Sequence, residues 1–211
     1  METPYRDRVA AGEALASRLK HLADRPDVVV LGLVRGGIPV AAVVAAELRV
    51  QLDVLVIRKL GLPSEHEVAF GAIGPDGVQV LNAEVAGRLD PEEIAEVVRA
   101  ETEELQRRAE LYRPGRPPLD LRDRTVVIVD DGLATGATIR AAVMVCRRLC
   151  AHRIMVAVPV GSVGACSAVS AVADELLCLL RPADFRAVGQ FYEDFEQVSD
   201  DEVTATLSGR G

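Results

Sequence analysis

The sequence contains no tryptophan, and aromatic residues make up only 3% of its 211 residues. It also lacks an uncharged apolar run of about 18 residues, so we expect no membrane-spanning helix and no membrane partner. The first seven residues show no apolar core of a signal peptide, and we therefore expect a cytoplasmic protein. Apolar residues still reach 49%, which predicts one sizeable core built from aliphatic side chains.

Positively charged residues are also fewer than negatively charged ones. The chain has 24 Lys and Arg residues against 32 Asp and Glu residues, a formal net charge of −8. Because nucleic-acid backbones are bound by clustered Lys and Arg, this balance predicts no nucleic-acid partner. An acidic protein can still bind a small polyanion through backbone amides, a few cations and a metal.

Cysteine and histidine are too scattered to predict a metal site. The four cysteines form no CxxC pair, and only Cys146 and Cys150 share a predicted helix face, where a metal is conceivable. We favour buried apolar thiols in a reducing cytosol. The histidines at positions 21, 66 and 152 are too far apart in the sequence to complete a zinc motif.

Short aliphatic segments alternate with helical ones along the chain. The aliphatic runs predict buried parallel strands at Val28–Val34, Val54–Ile57, Val126–Val129, Arg153–Val158 and Glu175–Leu180. Helical spacing of apolar residues predicts helices at Val9–Leu22, Ile38–Leu48, Pro91–Leu111 and Gly136–Cys150. This order predicts an α/β protein with an open, mostly parallel, five-stranded twisted sheet flanked by helices.

Two regions interrupt the alternation. Residues 60–80 are rich in Gly, Pro and charge, and we predict a flexible lid there, in which Val78–Val80 pairs with Ala69–Ile73 as a hairpin. The tail contains three of the four phenylalanines, which predicts a small C-terminal cap, or hood. We therefore divide the chain into a core of residues 1–182, including the lid, and a cap of residues 183–211.

The most informative segment runs from Thr125 to Thr138. Asp130 and Asp131 stand at the carboxyl end of a predicted strand, where open α/β sheets bind ligands. A loop of small and hydroxylated residues then opens a helix, whose unpaired amides and dipole favour an anion. No lysine follows as in the GxxxxGK[ST] loop, and the GxGxxG pattern is absent. The structural alternative is a set of turn formers and helix caps.

Four aliphatic residues, two aspartates and then Gly-Leu-Ala-Thr-Gly-Ala-Thr resemble the phosphoribosyl pyrophosphate signature of the type I phosphoribosyltransferases. The resemblance implies that Asp130 and Asp131 hold the ribose 2′- and 3′-hydroxyls, or ordered water around Mg²⁺. It implies that the 5′-phosphate is wrapped by Ala134, Thr135, Gly136, Ala137 and Thr138. It also implies transfer of the phosphoribosyl group to a small nitrogen acceptor in nucleotide metabolism, with release of pyrophosphate. Members of this family often form homodimers.

A second loop is similar to the pyrophosphate loop of that family. Arg35, Gly36 and Gly37 follow the first predicted strand, and the guanidinium fork of Arg35 suits pyrophosphate oxygens. Family members often have a cis peptide bond here, and we predict one between Val34 and Arg35. The alternative is an ordinary turn with a surface arginine.

The resemblance implies three further contacts with less support from the residues themselves. Lys59, predicted to end the second strand, would meet the diphosphate, and His66 would contact the substrate from the lid. Phe191 or Tyr192 would stack on a base. The alternatives are a solvated strand-end charge, a surface histidine and aromatic packing within the cap.

Other functions would require partly different features of the sequence. A regulatory protein that senses phosphoribosyl pyrophosphate or a nucleotide would keep the phosphate loop without transferase activity. A sugar-phosphate binder on the same frame would not need the Arg35 loop. A phospho-receiver domain also pairs acids at a strand end, but it carries them near the start of the chain. We favour the transferase and leave its acceptor open.

Overall fold

The computed structural model describes residues 4–61 and 69–209. The strands are β1 (Val28–Leu33), β2 (Gln51–Leu55), β3 (Arg58–Gly61), β4 (Ala69–Ile73), β5 (Gln79–Leu81), β6 (Thr125–Val129), β7 (Arg153–Val160) and β8 (Glu175–Leu180). The α-helices are α1 (Arg8–Arg18), α2 (Gly37–Leu48), α3 (Ala83–Ala86), α4 (Pro91–Tyr112), α5 (Ala137–Arg148), α6 (Val163–Ser170) and α7 (Asp200–Leu207). Short 3-10 turns lie at Lys20–Leu22, Pro75–Gly77 and Val188–Phe191.

Five of the strands form one sheet in the order β2-β1-β6-β7-β8. Every neighbouring pair in it is parallel, so all five carboxyl ends lie at one edge. The predicted α/β fold with a five-stranded parallel sheet and flanking helices is confirmed.

The sheet is buried on both faces. On one face, Val28 and Val30 of β1 pack with Leu15 of α1 and Val44 of α2. On the other face, Leu31 belongs to a cluster that includes side chains of α5 and α6. Because successive residues of a strand point to opposite faces, a strand covered on both sides needs a continuous aliphatic run. That requirement explains why the aliphatic runs locate these strands.

Strand β2 begins three residues before the predicted aliphatic run. Asp53 lies within it, opposite Leu31 of β1, and is buried. Its carboxylate accepts hydrogen bonds of 2.9 and 3.0 Å from the guanidinium of Arg113. A buried carboxylate needs such a partner, and this partner lies far away in the sequence. The local pattern therefore gives no sign that the strand includes Asp53.

The sequence suggested that Arg58 and Lys59 end the second strand, but they lie outside β2. The second strand of the main sheet stops at Leu55, and Arg58 begins β3 in a separate antiparallel sheet of order β3-β4-β5. The aliphatic run continues to Ile57 and hides the break between the two sheets. The predicted hairpin is confirmed, because β4 pairs with β5 and Ala72 lies opposite Val80.

Helix α4 begins as its sequence predicts. The side chain of Asp90 accepts a 2.8 Å hydrogen bond from the backbone amide of Glu92, and Pro91 occupies the first turn. Helix α4 is 22 residues long, but many of its residues are charged, which is unlike a membrane-spanning helix. Within residues 4–61 and 69–209, no helix is both long enough and apolar enough to cross a membrane.

The C-terminal cap packs against the start of the chain. The backbone amide of Tyr5 donates to the carbonyl of Phe191 at 3.2 Å, and the amide of Glu193 donates to the carbonyl of Tyr5 at 3.0 Å. The ring of Tyr5 lies 5.6 Å from that of Tyr192, between centroids. These contacts bring the N-terminus of α1 and the cap to the carboxyl edge of the sheet.

Candidate functional site

The segments that follow β1 and β6 meet at the carboxyl edge of the sheet, because these strands are parallel neighbours. A Cβ atom on Gly36 would lie 2.1 Å from Oδ2 of Asp131. One on Gly37 would lie 2.6 Å from the carbonyl oxygen of Val129 and 3.0 Å from Oδ1 of Asp130. Only glycine permits so close an approach. The two motifs predicted separately therefore form one site.

The loop after β1 has the backbone that was predicted for it. The peptide bond between Val34 and Arg35 is cis, which confirms that prediction. The Arg35 side chain is about one third exposed, and its Nη1 lies 3.6 Å from Oδ1 of Asp200, the first residue of α7. The predicted pyrophosphate ligand thus faces a carboxylate of the C-terminal helix.

The loop after β6 encloses a cavity of about 170 Å³. Its walls are formed by Asp130, Gly132, Leu133, Ala134, Thr135, Gly136, Ala137, Thr138, Ile139 and Val188. Gly136 has a φ of +76° and precedes α5 without a side-chain cap, while Thr135 Oγ1 accepts only a long 3.4 Å bond from the amide of Ala137. A helix start with weakly engaged amides and a positive dipole end suits a phosphate group. All five residues predicted to wrap the 5′-phosphate line this cavity.

The two aspartates are held in place by different groups. Oδ1 of Asp130 accepts a 2.9 Å hydrogen bond from the amide of Asp131. Burial, and then the neighbouring carboxylate, raise the pKa of Asp130 well above its usual range. Burial also raises the pKa of Asp131, against the opposing influence of Arg8. The two carboxylates therefore form an oxygen-rich site. Their ionised forms are energetically unfavourable there until a hydroxyl, a cation or an ordered water interacts with them.

These carboxylates fit a hydrated Mg²⁺ better than a fully protein-bound one. In the described parts of the chain, no group of three or more His, Cys, Asp or Glu side chains is placed to hold a metal ion. Mg²⁺ commonly keeps several waters and binds through one or two carboxylates together with substrate phosphates. Asp130 and Asp131 offer that kind of partial coordination.

Arg8 lies at the candidate site, although no feature of the sequence pointed to it. Its Nε and Nη2 atoms lie 3.0 and 2.9 Å from Oδ2 of Asp131, and its Nη1 donates to the carbonyl of Glu196 at 2.8 Å. Its guanidinium carbon lies 4.1 Å from the ring centroid of Phe195. No local pattern marks this residue, because its contacts all lie more than a hundred positions along the chain.

Phe191 and Tyr192 are packed inside the cap. Their exposed fractions are 6% and 4%, and Phe191 stacks on Phe185 with 5.7 Å between centroids. The Tyr192 hydroxyl donates a 2.6 Å hydrogen bond to the backbone carbonyl of Asp131. The structure thus accounts for both rings by packing, and stacking of one of them on a base stays a prediction.

Lys59 lies beside a different cavity. This cavity, of about 330 Å³, is bounded by the antiparallel sheet and by α5, and Arg140 also lines it. It shares only Ala137 with the phosphate-loop cavity. Contact between Lys59 and a diphosphate stays a prediction, and His66 lies outside the described residues.

Comparison with known proteins agrees with this geometry. A model of the phosphoribosyl transferase domain matches residues 5–196. The chain belongs to the phosphoribosyl transferase family. The resemblance drawn from the sequence is thereby confirmed for nearly the whole chain.

Among its phosphoribosyl transferase relatives are two curated proteins of Mycobacterium tuberculosis, strains CDC 1551 and H37Rv. Each is 52% identical over 205 residues, and each name assigns the protein provisionally to the phosphoribosyl transferases. The matches cover 96% of this chain but 46% of those proteins, so the chain spans about half their length. The crystal structure of TT1426 from Thermus thermophilus is 42% identical, with a TM-score of 0.88, covering 96% of this chain and 97% of that one.

Proposed function

We propose that this chain transfers the 5-phosphoribosyl group of phosphoribosyl pyrophosphate to a nitrogen acceptor, with release of pyrophosphate and in the presence of Mg²⁺. The observation that carries the proposal is the contact between the Gly36 loop and the Asp131 carboxylate, beside a phosphate-sized cavity. A phosphate loop alone would suit many sugar phosphates. The adjoining arginine–glycine loop adds a place for a second anionic group.

In this proposal the substrate is held at three points. The 5′-phosphate enters the cavity at the start of α5, where backbone amides and the hydroxyls of Thr135 and Thr138 donate to it. Asp130 and Asp131 accept hydrogen bonds from the ribose hydroxyls. Arg35 and the amides of its loop donate to the pyrophosphate. Holding both ends of the substrate fixes the anomeric carbon between them.

The reaction breaks the bond between the anomeric carbon and a pyrophosphate oxygen, which leaves with the bonding electrons. A nitrogen lone pair forms the new bond at the same carbon, and the proton that this nitrogen loses passes to the departing pyrophosphate or to solvent. Positive charge develops on the sugar as the old bond lengthens, and the two carboxylates stabilise it. When bound, Mg²⁺ supplies charge neutralisation for the departing pyrophosphate. The proposal needs no nucleophilic side chain, so no serine or cysteine is assigned a catalytic role.

The test is a calorimetric titration with phosphoribosyl pyrophosphate and Mg²⁺. Binding by the wild type that Asp130→Asn/Asp131→Asn abolishes would support the site. Glu103→Gln is a suitable control, because this exposed acid lies on α4 and pairs only with Arg99 at the surface. An absence of binding by the folded wild type would overturn the proposal.

A second measurement separates the transferase from a sensor. Pyrophosphate release is followed with adenine, hypoxanthine, guanine, xanthine and uracil as acceptors. Release with one of these bases identifies the acceptor class. Binding without release from any of these bases would remove transfer to these nucleobases and would favour a protein that senses phosphoribosyl pyrophosphate. A homodimer, which the family resemblance allows, stays a prediction.

A further inference from the structure

The guanidinium of Arg8 is held on three sides. Two of its nitrogens contact Oδ2 of Asp131, a third donates to the carbonyl of Glu196, and its face lies over the ring of Phe195. The side chain is only 12% exposed. An arginine engaged in this way has little rotational freedom, so it defines the position of whatever it contacts.

Arg8 forms its hydrogen bonds with one carboxylate oxygen of Asp131, Oδ2, and not with the other, Oδ1. Both hydrogen-bonding nitrogens lie on Oδ2, the atom that also faces Gly36 at close range. Oδ2 is therefore confined between Arg8 and the Gly36 loop. No side chain of the described residues donates to Oδ1, which leaves that oxygen for a hydroxyl of the ribose.

The same contacts join the acid pair to the cap. The backbone carbonyl of Asp131 accepts from the Tyr192 hydroxyl, and its carboxylate reaches Glu196 and Phe195 through Arg8. Both the main chain and the side chain of Asp131 are thus held by residues 192–196. This arrangement is more than a surface ion pair, because the Arg8 and Asp131 side chains are only 12% and 14% exposed and each donor has a defined acceptor.

We propose that Arg8 is a positioning residue: it holds Oδ2 of Asp131 so that Oδ1 is presented to the ribose, and it links that orientation to the cap. The inference rests on the proposed phosphoribosyl transfer. Among the described residues, Arg8 does not line the phosphate cavity, and its hydrogen bonds go to Asp131 and Glu196, so we assign it no direct part in binding either anionic end of the substrate. Its contribution is to the alignment of the sugar between them.

This role predicts a characteristic split in the kinetics of Arg8→Gln. Alignment matters most as the anomeric bond breaks, so kcat should fall by about 10- to 100-fold. The dissociation constant for phosphoribosyl pyrophosphate should rise by less than about 5-fold, because the phosphate cavity and the Arg35 loop are intact. Arg8→Lys should recover only part of kcat, since an ammonium carries the charge but lacks the planar fork.

Two control variants separate positioning from loss of structure. Tyr5→Phe removes the buried 3.1 Å hydrogen bond from the Tyr5 hydroxyl to the carbonyl of Pro159, in the same N-terminal segment. It should lower the thermal midpoint without the fall in kcat. Arg6→Gln removes a neighbouring arginine that is exposed and forms an ion pair with Asp7, and it should change neither quantity.

The experiment measures three quantities for all five proteins: the thermal midpoint, kcat with the base that the wild type accepts, and binding of phosphoribosyl pyrophosphate by calorimetry. A fall in kcat confined to the Arg8 variants would support the inference. Equal losses in Tyr5→Phe, full recovery in Arg8→Lys, or unchanged or faster turnover in Arg8→Gln would overturn it. A wild type that binds no phosphoribosyl pyrophosphate, or turns over no base, fails at the proposed function, and the inference falls with it.

Discussion

Arg35 and Asp200 lie side by side at the rim of the site, with 3.6 Å between Nη1 and Oδ1. Arg35 belongs to the loop proposed to take pyrophosphate, whereas Asp200 begins the C-terminal helix α7. The Tyr112 hydroxyl also donates to Oδ1 of Asp200, at 2.6 Å. The carboxylate is therefore held against the cation that we propose binds pyrophosphate, and we expect it to compete with pyrophosphate for that cation.

We expect Asp200→Asn to strengthen pyrophosphate binding by about 2- to 10-fold, because it removes a carboxylate from beside Arg35. Stability should change by less than about 0.5 kcal/mol, since the ion pair is exposed and the asparagine oxygen still accepts from Tyr112. Calorimetry with pyrophosphate and Mg²⁺ measures the effect. Asp201→Asn is the matched control on the same helical turn, and an equal gain there would point to net charge instead.

A methyl group at Gly36 should damage both folding and ligand binding. Gly36→Ala places Cβ against Asp131, and overpacking of this kind typically costs about 1–3 kcal/mol. Because Gly36 belongs to the Arg35 loop, distortion of that loop together with displacement of Asp131 should also weaken the binding of phosphoribosyl pyrophosphate by at least about 10-fold. Gly164→Ala is the control, because open space surrounds that position in α6 and alanine is the better helix former. Urea unfolding and calorimetry of both variants would show whether the close contact is responsible.

Removal of charge should have a larger effect on stability at Asp130 than at Asp131. Asp130→Asn relieves a buried charge, so we expect an increase of about 1 kcal/mol in the free energy of unfolding, with loss of binding. Asp131→Asn also relieves a carboxylate whose pKa burial raises, but it leaves the partly buried Arg8 without its anionic partner, so the gain in stability should be smaller. Denaturant titration at neutral pH tests the contrast. An equal or larger gain in Asp131→Asn would contradict it.

As the pH is lowered, ligand binding should begin to weaken at a pH well above about 4, where an ordinary aspartate titrates. Because burial raises the pKa of Asp130, this group is protonated in the free protein at a pH where an exposed aspartate is ionised. The carboxylate form is the one that accepts ribose hydroxyls, so affinity should fall as pH falls through the raised pKa. Calorimetry in buffers of different ionisation enthalpy should also detect proton release on binding in that range. Affinity that stays constant down to about pH 4 would count against the assignment of Asp130.

The raised pKa of Asp130 also affects folding stability, but in the opposite direction: stability should fall as the pH rises. The folded protein retains a proton on Asp130 at a pH where the unfolded chain has released it. The contribution of this group is therefore fully present below the unfolded pKa and is lost as pH rises through the folded pKa. Wild type and Asp130→Asn should differ most at a pH above the raised pKa of Asp130 and converge in acid. Urea midpoints of the two proteins across that range measure the difference.

The sequence by itself determined the parallel sheet and the loop after β6, and its family resemblance predicted the position of the cis peptide bond. Doubly covered strands require unbroken aliphatic runs, and all the residues that line the loop cavity except Val188 lie between positions 130 and 139, so both signals are local. Only the tertiary structure decided that Gly36 touches Asp131, that Lys59 belongs to a second sheet and that Tyr192 is buried. Likewise, Arg8 and Asp200 reach the site from the two ends of the chain. Such contacts arise because packing the cap onto α1 and α2 brings distant residues together, and no periodicity in the sequence records which side chains then meet.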